Sequence, residues 1–216
     1  MADAGWVKKK IFHWAERTGR AVEKIQMEEG RVPLPWKVPL SLAEKTIFRP
    51  LLDRVGCSRI KSAYTGGHPI SPDVIFFFRS MGLNLKQCYG LTESGGIFQA
   101  QPDHSPKLDT VGTSLPGSEV MISEDSEVLV KSETVFKGYL RDYKATEEAF
   151  SNGWLRTGDA GVLNEDGHLV IIGRKAEVIR DKDGNVFSPD FIETRLKFSP
   201  YIQEAVIFGE GRPYLT

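Results

Sequence analysis

The pattern of the chain changes at Thr110, and this change constrains the fold more than any other feature of the sequence. After Thr110, short stretches of alternating apolar and polar residues are separated by Gly, Asp and Asn. Alternation with a period of two predicts half-buried β-strands, and turn residues between them predict antiparallel neighbours. We expect an antiparallel β subdomain over residues 110–173, with strands at residues 119–122, 127–130, 160–163 and 168–172, a hairpin turn at residues 164–167, and a short helix at residues 147–151.

Before Thr110 the sequence predicts helices and an alternation of strand and helix. Residues 6–29 place apolar side chains at helical spacing among Lys, Arg and Glu, which is typical of an amphipathic helix. The prolines of residues 31–39 are expected to break it, because proline lacks a backbone donor and fixes φ. The remaining predictions are a helix at 41–55, a strand at 59–64, a helix at 71–81 and a strand at 85–89. This βαβ order predicts neighbouring parallel strands with ligand-binding loops at Gly66 and Gly90.

After residue 174 a third part of the chain begins. Charged residues cluster at the junction, and the sequence then predicts a hairpin around residues 181–184, a helix over 189–198 and a strand at 204–208. The fold class is therefore mixed α/β. The expected divisions are residues 1–109, residues 110–173 and residues 174–216.

Charge and composition narrow the classes of function. The 216 residues include 28 basic and 29 acidic side chains, so no field of one sign attracts nucleic acid. Cys57 and Cys88 stand apart without a metal-ligand pattern, which is typical of reduced cysteines in a cytoplasmic protein. No apolar run reaches the ~18 residues that span a bilayer. For the first helix, packing on a domain surface is the ordinary interpretation, and peripheral membrane contact by the lysines of residues 8–10 is the alternative.

Five side chains have the chemistry of a nucleotide site. Tyr89 offers an aromatic face, Thr92 a hydroxyl, Glu93 and Asp159 carboxylates, and Arg174 a guanidinium that keeps its charge. These groups are able to stack a base, anchor a ribose, hold a magnesium ion and neutralise a phosphate. For Tyr89 or Glu93 alone, a half-buried strand end or a solvent-facing loop acid would be the simpler interpretation.

Several short motifs follow one another in a meaningful order. They are YTGGHP with Gly66 and Gly67, YGLTE from Tyr89, TGD ending at Asp159, GR ending at Arg174, and a G-x-x-x-S-P-x-x-I-E run from Gly184. Their order resembles that of the adenylate-forming superfamily, and the closest resemblance is to long-chain fatty acid–CoA ligases. The resemblance implies the end of an α/β sandwich subdomain, a distorted, barrel-like antiparallel subdomain, and a mobile α+β C-terminal domain after a hinge.

The resemblance also implies roles for the motif residues. In the family the counterpart of Glu93 is the magnesium ligand, that of Thr92 contacts phosphate and that of Tyr89 stacks on adenine. The remaining nucleotide or substrate contacts implied are those of Gly66, Gly67, Gly90, Asp159, Ile171 and Arg174, with Gly184 in a loop that faces the pantetheine arm of CoA. Thr92, Glu93 and Arg174 would be the catalytic residues. Ala176 departs from the Asp or Lys that family members usually carry at the hinge.

Two elements of the resemblance are missing from these 216 residues. They are the family's Ser/Thr/Gly-rich phosphate loop and its late catalytic lysine, so we expect an internal piece of a ligase with little activity alone. The predicted parent activity is ATP-dependent ligation of a fatty acid to CoA through acyl-AMP, with ATP or AMP, Mg²⁺ and CoA as the small-molecule partners and the missing portions of the same polypeptide as a further partner. A fatty acyl-AMP ligase and a non-catalytic adenylate-binding module are the alternatives.

Overall fold

The computed structural model describes residues 5–68, 70–103, 106–197, 199 and 201–216. These residues form two compact units, each assembled from separate stretches of the chain. Unit 1 contains residues up to 65, residues 72–86 and residues 102–108, and unit 2 contains residues 66–71, 87–101 and 109–216. Helices and several sheets are both present, so the mixed α/β class is confirmed. The sequence predicts three parts, with boundaries after residues 109 and 173. These boundaries differ from those of the two compact units, and the three-part division stays a prediction.

Unit 1 is mainly helical. Helix α1 (Trp6–Glu29) has the bounds that the amphipathic pattern predicts, and it ends at Gly30, whose φ of 69° forms a left-handed cap. Its buried face meets a small apolar core, because helices of this kind are stabilised mainly by packing. That core consists of Ala15, Ala43, Phe48, Leu52, Met81 and Leu83.

Helix α1 ends before the proline segment of residues 31–39, as predicted, but the next helix, expected from about residue 41, already begins at Leu34 as α2 (Leu34–Ala43). Pro35 lies in the first turn, where the backbone N–H has no intrahelical acceptor, so proline removes no hydrogen bond there. Pro39 lies inside the helix and does remove one. Because α2 packs against α1, tertiary contacts outweigh this local cost. A π-helical turn (Glu44–Phe48) and α3 (Arg49–Arg54) continue the path.

The strand and helix that follow agree with the sequence in kind. Strand β1 (Ala63–Thr65) is shorter than the predicted stretch 59–64 and lies at its end. Helix α4 (Pro72–Ser80) begins at its proline, as predicted. Strand β2 (Leu85–Leu91) begins in unit 1 and continues into unit 2. The parallel pairing of the two predicted strands stays a prediction.

Unit 2 contains an antiparallel arrangement around the end of β2. Strand β3 (Gly96–Ala100) pairs with β2, and β4 (Thr113–Ser114) pairs with β3. The sequence did not predict β3 or β4, because GGIFQA and a two-residue strand lack a clear alternating pattern. The tight turn over residues 92–95 nevertheless places β3 directly beside Tyr89.

The second sheet of unit 2 is antiparallel, as the alternating pattern predicts. Its order is β5-β6-β8-β7, and β9 also pairs with β8. The bounds are β5 (Ser118–Ile122), β6 (Glu127–Ser132), β7 (Phe150–Ser151), β8 (Trp154–Leu163) and β9 (Leu169–Arg174). Closure into a barrel stays a prediction. The buried side chains of Phe98, Val130 and Leu155 form the core.

One helix in this region lies earlier than predicted. Helix α5 (Tyr143–Glu148) begins after Asp142, whose carboxylate accepts a hydrogen bond from Ala145 N at 2.9 Å. The sequence predicts a helix over 147–151, but residues 150 and 151 form β7 and pair with β8. The capping aspartate fixes the helix start, and the strand pairing fixes its end.

The last part of unit 2 confirms two predictions and corrects one. Strands β10 (Ile179–Arg180) and β11 (Val186–Phe187) form the predicted hairpin, and α6 (Pro189–Leu196) is capped by Ser188. The strand predicted at 204–208 is absent from the described residues. There, Ile207 N donates to the Glu193 side chain and Phe208 exchanges backbone hydrogen bonds with Thr216. Apolar alternation without a neighbouring strand therefore did not produce a ladder.

Among the described residues, no helix combines the length and apolar character needed to cross a bilayer. Four large apolar residues of α1, Trp6, Val7, Ile11 and Trp14, are exposed. The peripheral membrane contact and the cytoplasmic location expected from the sequence stay predictions.

Candidate functional site

Tyr89, Asp159 and Arg174 form one connected group in unit 2. The Tyr89 hydroxyl donates a hydrogen bond to Asp159 Oδ2 at 2.5 Å. Arg174 Nη1 lies 3.3 Å from Asp159 Oδ1, and the side chain of Arg174 is 60% exposed whereas that of Asp159 is only 9% exposed. A nearly buried carboxylate is thus held between a phenol and a cation that faces solvent. Asp159 and Arg174 follow Tyr89 by 70 and 85 positions in the chain, and the three side chains meet here, as the motifs predict.

The register of two strands explains this meeting. Asp159 on β8 is the direct partner of Arg174 on β9, and the ladder shifts register between Ala160 and Gly161. Directly opposite residues of an antiparallel pair bring their side chains together. Asp159 is fixed further because its backbone N–H donates to Thr157 Oγ1 at 3.1 Å, while the Thr157 hydroxyl donates to Val128 O at 2.7 Å.

Tyr89 is a neutral donor in this arrangement. Burial raises the pKa of its phenol well above the usual range, and the adjacent Asp159 carboxylate raises it further. Its ring meets that of Phe98 edge to face, with centroids 5.0 Å apart. Because Phe98 is fully buried, the core fixes the position of the Tyr89 ring.

Glu93 lies in the turn between β2 and β3 and is held from outside that turn. The Tyr139 hydroxyl donates to Glu93 Oε1 at 2.8 Å, and Phe136 N donates to Glu93 O at 2.8 Å. The exposed Thr92 precedes it, and its carbonyl oxygen accepts from Gly95 N at 3.1 Å. Within the described part of the chain, no hydrogen bond or ion pair joins Glu93 or Thr92 to Asp159. The structure therefore shows two groups of site residues in unit 2.

Glycines allow close approach beside the strand that carries Tyr89. A β-carbon at Gly66 would lie 2.9 Å from both the carbonyl oxygen and the sulfur of Cys88, and Gly67 follows with φ 86°. At Gly90 a β-carbon would lie 2.1 Å from Gly96 O, next to a register shift between β2 and β3. The structure shows close approach of Gly66 to Cys88, whereas the approach of the Gly-Gly turn to a ligand stays a prediction.

Ile171 and Gly184 are placed less directly. Ile171 is half-buried on β9, opposite Gly161 and three residues before Arg174. Gly184 lies in the β10–β11 turn, where its N–H donates to Asp181 O at 3.1 Å and its carbonyl oxygen accepts from Arg180. In the residues that the structure describes, no hydrogen bond or ion pair links Gly184 to Asp159 or Arg174. The role that the resemblance implies for its loop stays a prediction.

The structure adds a charged cluster that the sequence did not reveal. The Glu127 carboxylate is 4% exposed and accepts hydrogen bonds from Arg156 and Lys175 through Oε2, both at 2.9 Å, and from Gly158 N through Oε1 at 3.1 Å. The Lys175 ammonium also contacts Asp125. Glu127 therefore fixes the residue before Asp159 and the residue after Arg174. The signal in the sequence was an acidic residue directly before the apolar run of residues 128–130.

Hydrogen bonding in this cluster makes stability depend on pH. Hydrogen bonds from Lys175 and Ser123 lower the pKa of Asp125 to about 2. Burial acts to raise the pKa of Glu127, but hydrogen bonds from Arg156, Lys175 and Gly158 outweigh it and hold that pKa below its usual value. A carboxyl group with a lowered folded-state pKa stabilises the fold above its unfolded pKa, and this contribution is lost as pH falls through the folded pKa.

We expect Lys175→Met to lower Tm by about 2 to 4 °C at pH 7, because two carboxylates lose a common donor. The difference from the unchanged protein should shrink as pH falls from about 4 to about 2. Differential scanning calorimetry from pH 7 to pH 2 measures both. Lys182→Met, at an exposed position of the β10–β11 turn, is the matched control. A Tm difference that persists undiminished at pH 2 would contradict the charge-based explanation.

Comparison with known proteins connects this geometry to a family. Residues 20–140 match the AMP-binding enzyme family. The chain belongs to that family. The match contains Gly66, Tyr89, Glu93 and Tyr139, whereas Asp159 and Arg174 lie outside it. The hydrogen bond from Tyr89 to Asp159 therefore joins the matched segment to the part of the chain that follows it.

Curated relatives of the chain are ligases by name. The chain is 35% identical over 215 residues to the long-chain-fatty-acid–CoA ligase FadD15 of Mycobacterium bovis (strain ATCC BAA-935 / AF2122/97), covering 99% of this chain and 35% of that protein. It is 29% identical over 222 residues to the long-chain-fatty-acid–CoA ligase ACSBG2 of Xenopus laevis, covering 100% of this chain and 30% of that protein. The chain thus spans about a third of the length of these relatives.

Solved structures support the fold. The unliganded O-succinylbenzoate coenzyme A synthetase of Bacillus subtilis is 28% identical, with a TM-score of 0.65 over 79% of this chain and 40% of that chain. The same synthetase in complex with ATP and magnesium ion gives 29% identity and a TM-score of 0.63 over 80% of this chain and 39% of that chain. Over the matched residues the chain therefore shares the fold of this synthetase.

Proposed function

We propose that this AMP-binding enzyme takes part in ATP-dependent ligation of a long-chain fatty acid to CoA. In the first step a carboxylate oxygen of the acid attacks the α-phosphorus of ATP, and the bond to the departing pyrophosphate breaks. In the second step the CoA sulfur attacks the acyl carbon, loses its proton, and AMP leaves. The names of the curated relatives support the substrates. The observation that carries the proposal is the connected group of Tyr89, Asp159 and Arg174.

Asp159 is suited to anchor the ribose. Both of its oxygens already have a partner, Tyr89 on one and Arg174 on the other. An ionised carboxylate has about four acceptor positions, so each oxygen is able to accept one ribose hydroxyl as well. Because the Tyr89 hydroxyl holds its carboxylate and the Thr157 hydroxyl oxygen accepts from its backbone N–H, Asp159 is preorganised for this contact.

Arg174 and Tyr89, the two partners of Asp159, are suited to contact a phosphate and the adenine, respectively. The Arg174 guanidinium is mostly exposed while it contacts Asp159, so it is available to a phosphate and keeps its positive charge. The Tyr89 ring is fixed by Phe98 and lies on β2, three residues before the turn of residues 92–95, where an adenine would stack on it. Positioning and charge neutralisation are the main contributions that a protein makes to phosphoryl-group chemistry.

The donor set near Glu93 fits a magnesium ion that arrives with a nucleotide. Among the described residues, no group of three or more His, Cys, Asp or Glu side chains is placed to hold a metal ion. Magnesium usually keeps several waters and is bound by one or two carboxylates together with phosphate oxygens, so one carboxylate suffices. Glu93 would hold the ion, which supplies charge stabilisation at the phosphates when bound. Thr92, exposed beside it, would contact phosphate.

The proposal also includes contacts to the acyl group and to CoA. Gly66 lies close to Cys88, the residue before Tyr89, and Gly67 follows it; we assign both glycines to the acyl and adenine side of the site. The exposed Gly184 turn is organised by Asp181, whose carboxylate accepts from Asp183 N, Asn185 N and the Asn185 side chain. We assign this loop to the pantetheine arm of CoA.

The decisive experiment is binding of a non-hydrolysable acyl-adenylate analogue to the 216-residue chain, measured by calorimetry with magnesium present. We expect saturable binding that Asp159→Ala weakens by about 1 to 3 kcal/mol, because charge-assisted hydrogen bonds to the ribose are lost. Asp159→Asn should lose less, since the amide keeps one acceptor. Glu165→Ala, at an exposed position of the β8–β9 turn, is the control and should bind normally.

Each outcome of that titration decides something. Equal affinity of the unchanged protein and Asp159→Ala would remove Asp159 from the site. No binding by a folded sample would overturn the proposed nucleotide site of this chain. In a separate assay with ATP, fatty acid and CoA, robust acyl-CoA formation by the 216-residue chain alone would contradict the low activity expected of it.

A further inference from the structure

We propose that Tyr139 is a positioning residue that orients Glu93 for the nucleotide-bound magnesium ion, an inference that rests on the proposed function. The contact is the hydrogen bond from the Tyr139 hydroxyl to Glu93 Oε1 at 2.8 Å, across 46 positions of sequence. It occupies one carboxylate oxygen. In the described part of the chain, Glu93 Oε2 accepts no hydrogen bond, so one oxygen is fixed and the other is available to a metal.

The segment of residues 134–139 holds the whole turn that carries Glu93. The Thr134 hydroxyl donates to Ser94 O at 2.8 Å, Phe136 N donates to Glu93 O at 2.8 Å, and the Tyr139 hydroxyl binds the Glu93 side chain. Backbone and side chain of Glu93 are therefore both held by one segment. The turn has its own internal support through Ser94, but that support does not reach the Glu93 carboxylate.

Tyr139 is itself firmly placed. Its backbone N–H donates to Thr146 Oγ1 at 2.9 Å, and the Thr146 hydroxyl donates to Asp142 O at 2.7 Å at the start of α5. Its ring meets that of Phe136 edge to face with centroids 4.8 Å apart, and Phe136 stacks on Phe150. The hydroxyl is thus presented to Glu93 from a fixed ring, which removes the entropy of searching for the carboxylate.

The hydrogen bond from Tyr139 to Glu93 is of a kind that metal sites use. Hydrogen bonds to a metal-ligating carboxylate commonly fix its orientation and tune its affinity. Tyr139 contacts neither the nucleotide nor the reacting atoms in this proposal, and it acts only through Glu93.

The test compares affinity for an ATP analogue with a methylene-bridged α,β-phosphate, measured by calorimetry with magnesium and again with EDTA. We expect Tyr139→Phe to reduce the magnesium-dependent gain in affinity by about tenfold, the lower end for partners of metal ligands. Affinity in EDTA should not change. Because phenylalanine keeps the ring contact with Phe136, the fold should remain intact, as circular dichroism would check. Tyr143→Phe, whose ring is 90% exposed, is the matched control.

A double-mutant cycle with Glu93→Gln makes the result specific. In the Glu93→Gln background, Tyr139→Phe should have no further effect on the magnesium-dependent gain, because the two residues act as one unit. The inference would be overturned if Tyr139→Phe left the magnesium-dependent gain in affinity unchanged, or if it lowered the affinity equally with magnesium and with EDTA. Either result would leave the nucleotide site in place. No binding of the analogue by the unchanged protein would overturn the proposed function, and this inference with it.

Discussion

Phe98→Ala is expected to lower the free energy of unfolding by about 3 to 5 kcal/mol, the range for removing a fully buried aromatic ring. Phe98 is 1% exposed and packs with Val130 and Leu155 at the centre of unit 2. Its ring also supports Tyr89. The expected loss of free energy has two parts: the favourable free energy of burying the ring is lost, and a cavity remains in its place. Urea unfolding followed by circular dichroism measures the change.

Two further measurements make this prediction specific. Phe98→Leu keeps most of the volume and should lose about 1 to 2 kcal/mol. Hydrogen exchange should show the lost protection of Phe98→Ala in strands β2, β3 and β8 of unit 2, while the helices of unit 1 serve as the internal reference. A loss below about 1 kcal/mol for Phe98→Ala would contradict a central role of this ring, since surface changes have effects of that size.

Glu23→Ala is expected to lower the free energy of unfolding by about 3 kcal/mol, because it removes one partner of a buried ion pair. In unit 1, Arg79 Nε lies 2.6 Å from Glu23 Oε1, and the two side chains are only 8% and 9% exposed. Without Glu23 the guanidinium stays buried, with Asn84 Oδ1 and Leu85 O as its remaining acceptors. An uncompensated buried charge accounts for most of the loss.

The chain offers a matched pair on the same helix for comparison. Glu16 and Arg20 also form an ion pair on α1, at 3.2 Å, but their side chains are 24% and 39% exposed. Glu16→Ala should therefore change the free energy of unfolding by less than about 1 kcal/mol. Glu23→Leu combined with Arg79→Met should recover much of the loss, because no buried charge remains. Equal effects of Glu23→Ala and Glu16→Ala would show that burial does not control the strength of these pairs.

The sequence predicted correctly those helices and strands in which one periodic pattern of apolar residues continues over many positions. Helix α1 has its predicted bounds because a long amphipathic repeat ends at a glycine cap. The antiparallel strands after Thr110 appear where alternation and turn residues coincide. Predictions were wrong where the local pattern was interrupted or short. The second helix begins at Leu34 instead of about residue 41, β3 and β4 were not predicted, and in the described part of the chain residues 204–208 form no strand.

The sequence by itself determined the mixed α/β class, the order of the motifs and the identity of Tyr89, Glu93, Asp159 and Arg174 as candidate site residues. These depend on residue type and on periodicity, which act over a few positions. Only the tertiary structure decided which of these groups meet. Strand register joins Asp159 to Arg174, and packing on Phe98 brings Tyr89 to the same carboxylate. The supporting contacts of Glu127 and Tyr139 join residues 29 to 48 positions apart, and no local pattern encodes distances of that kind.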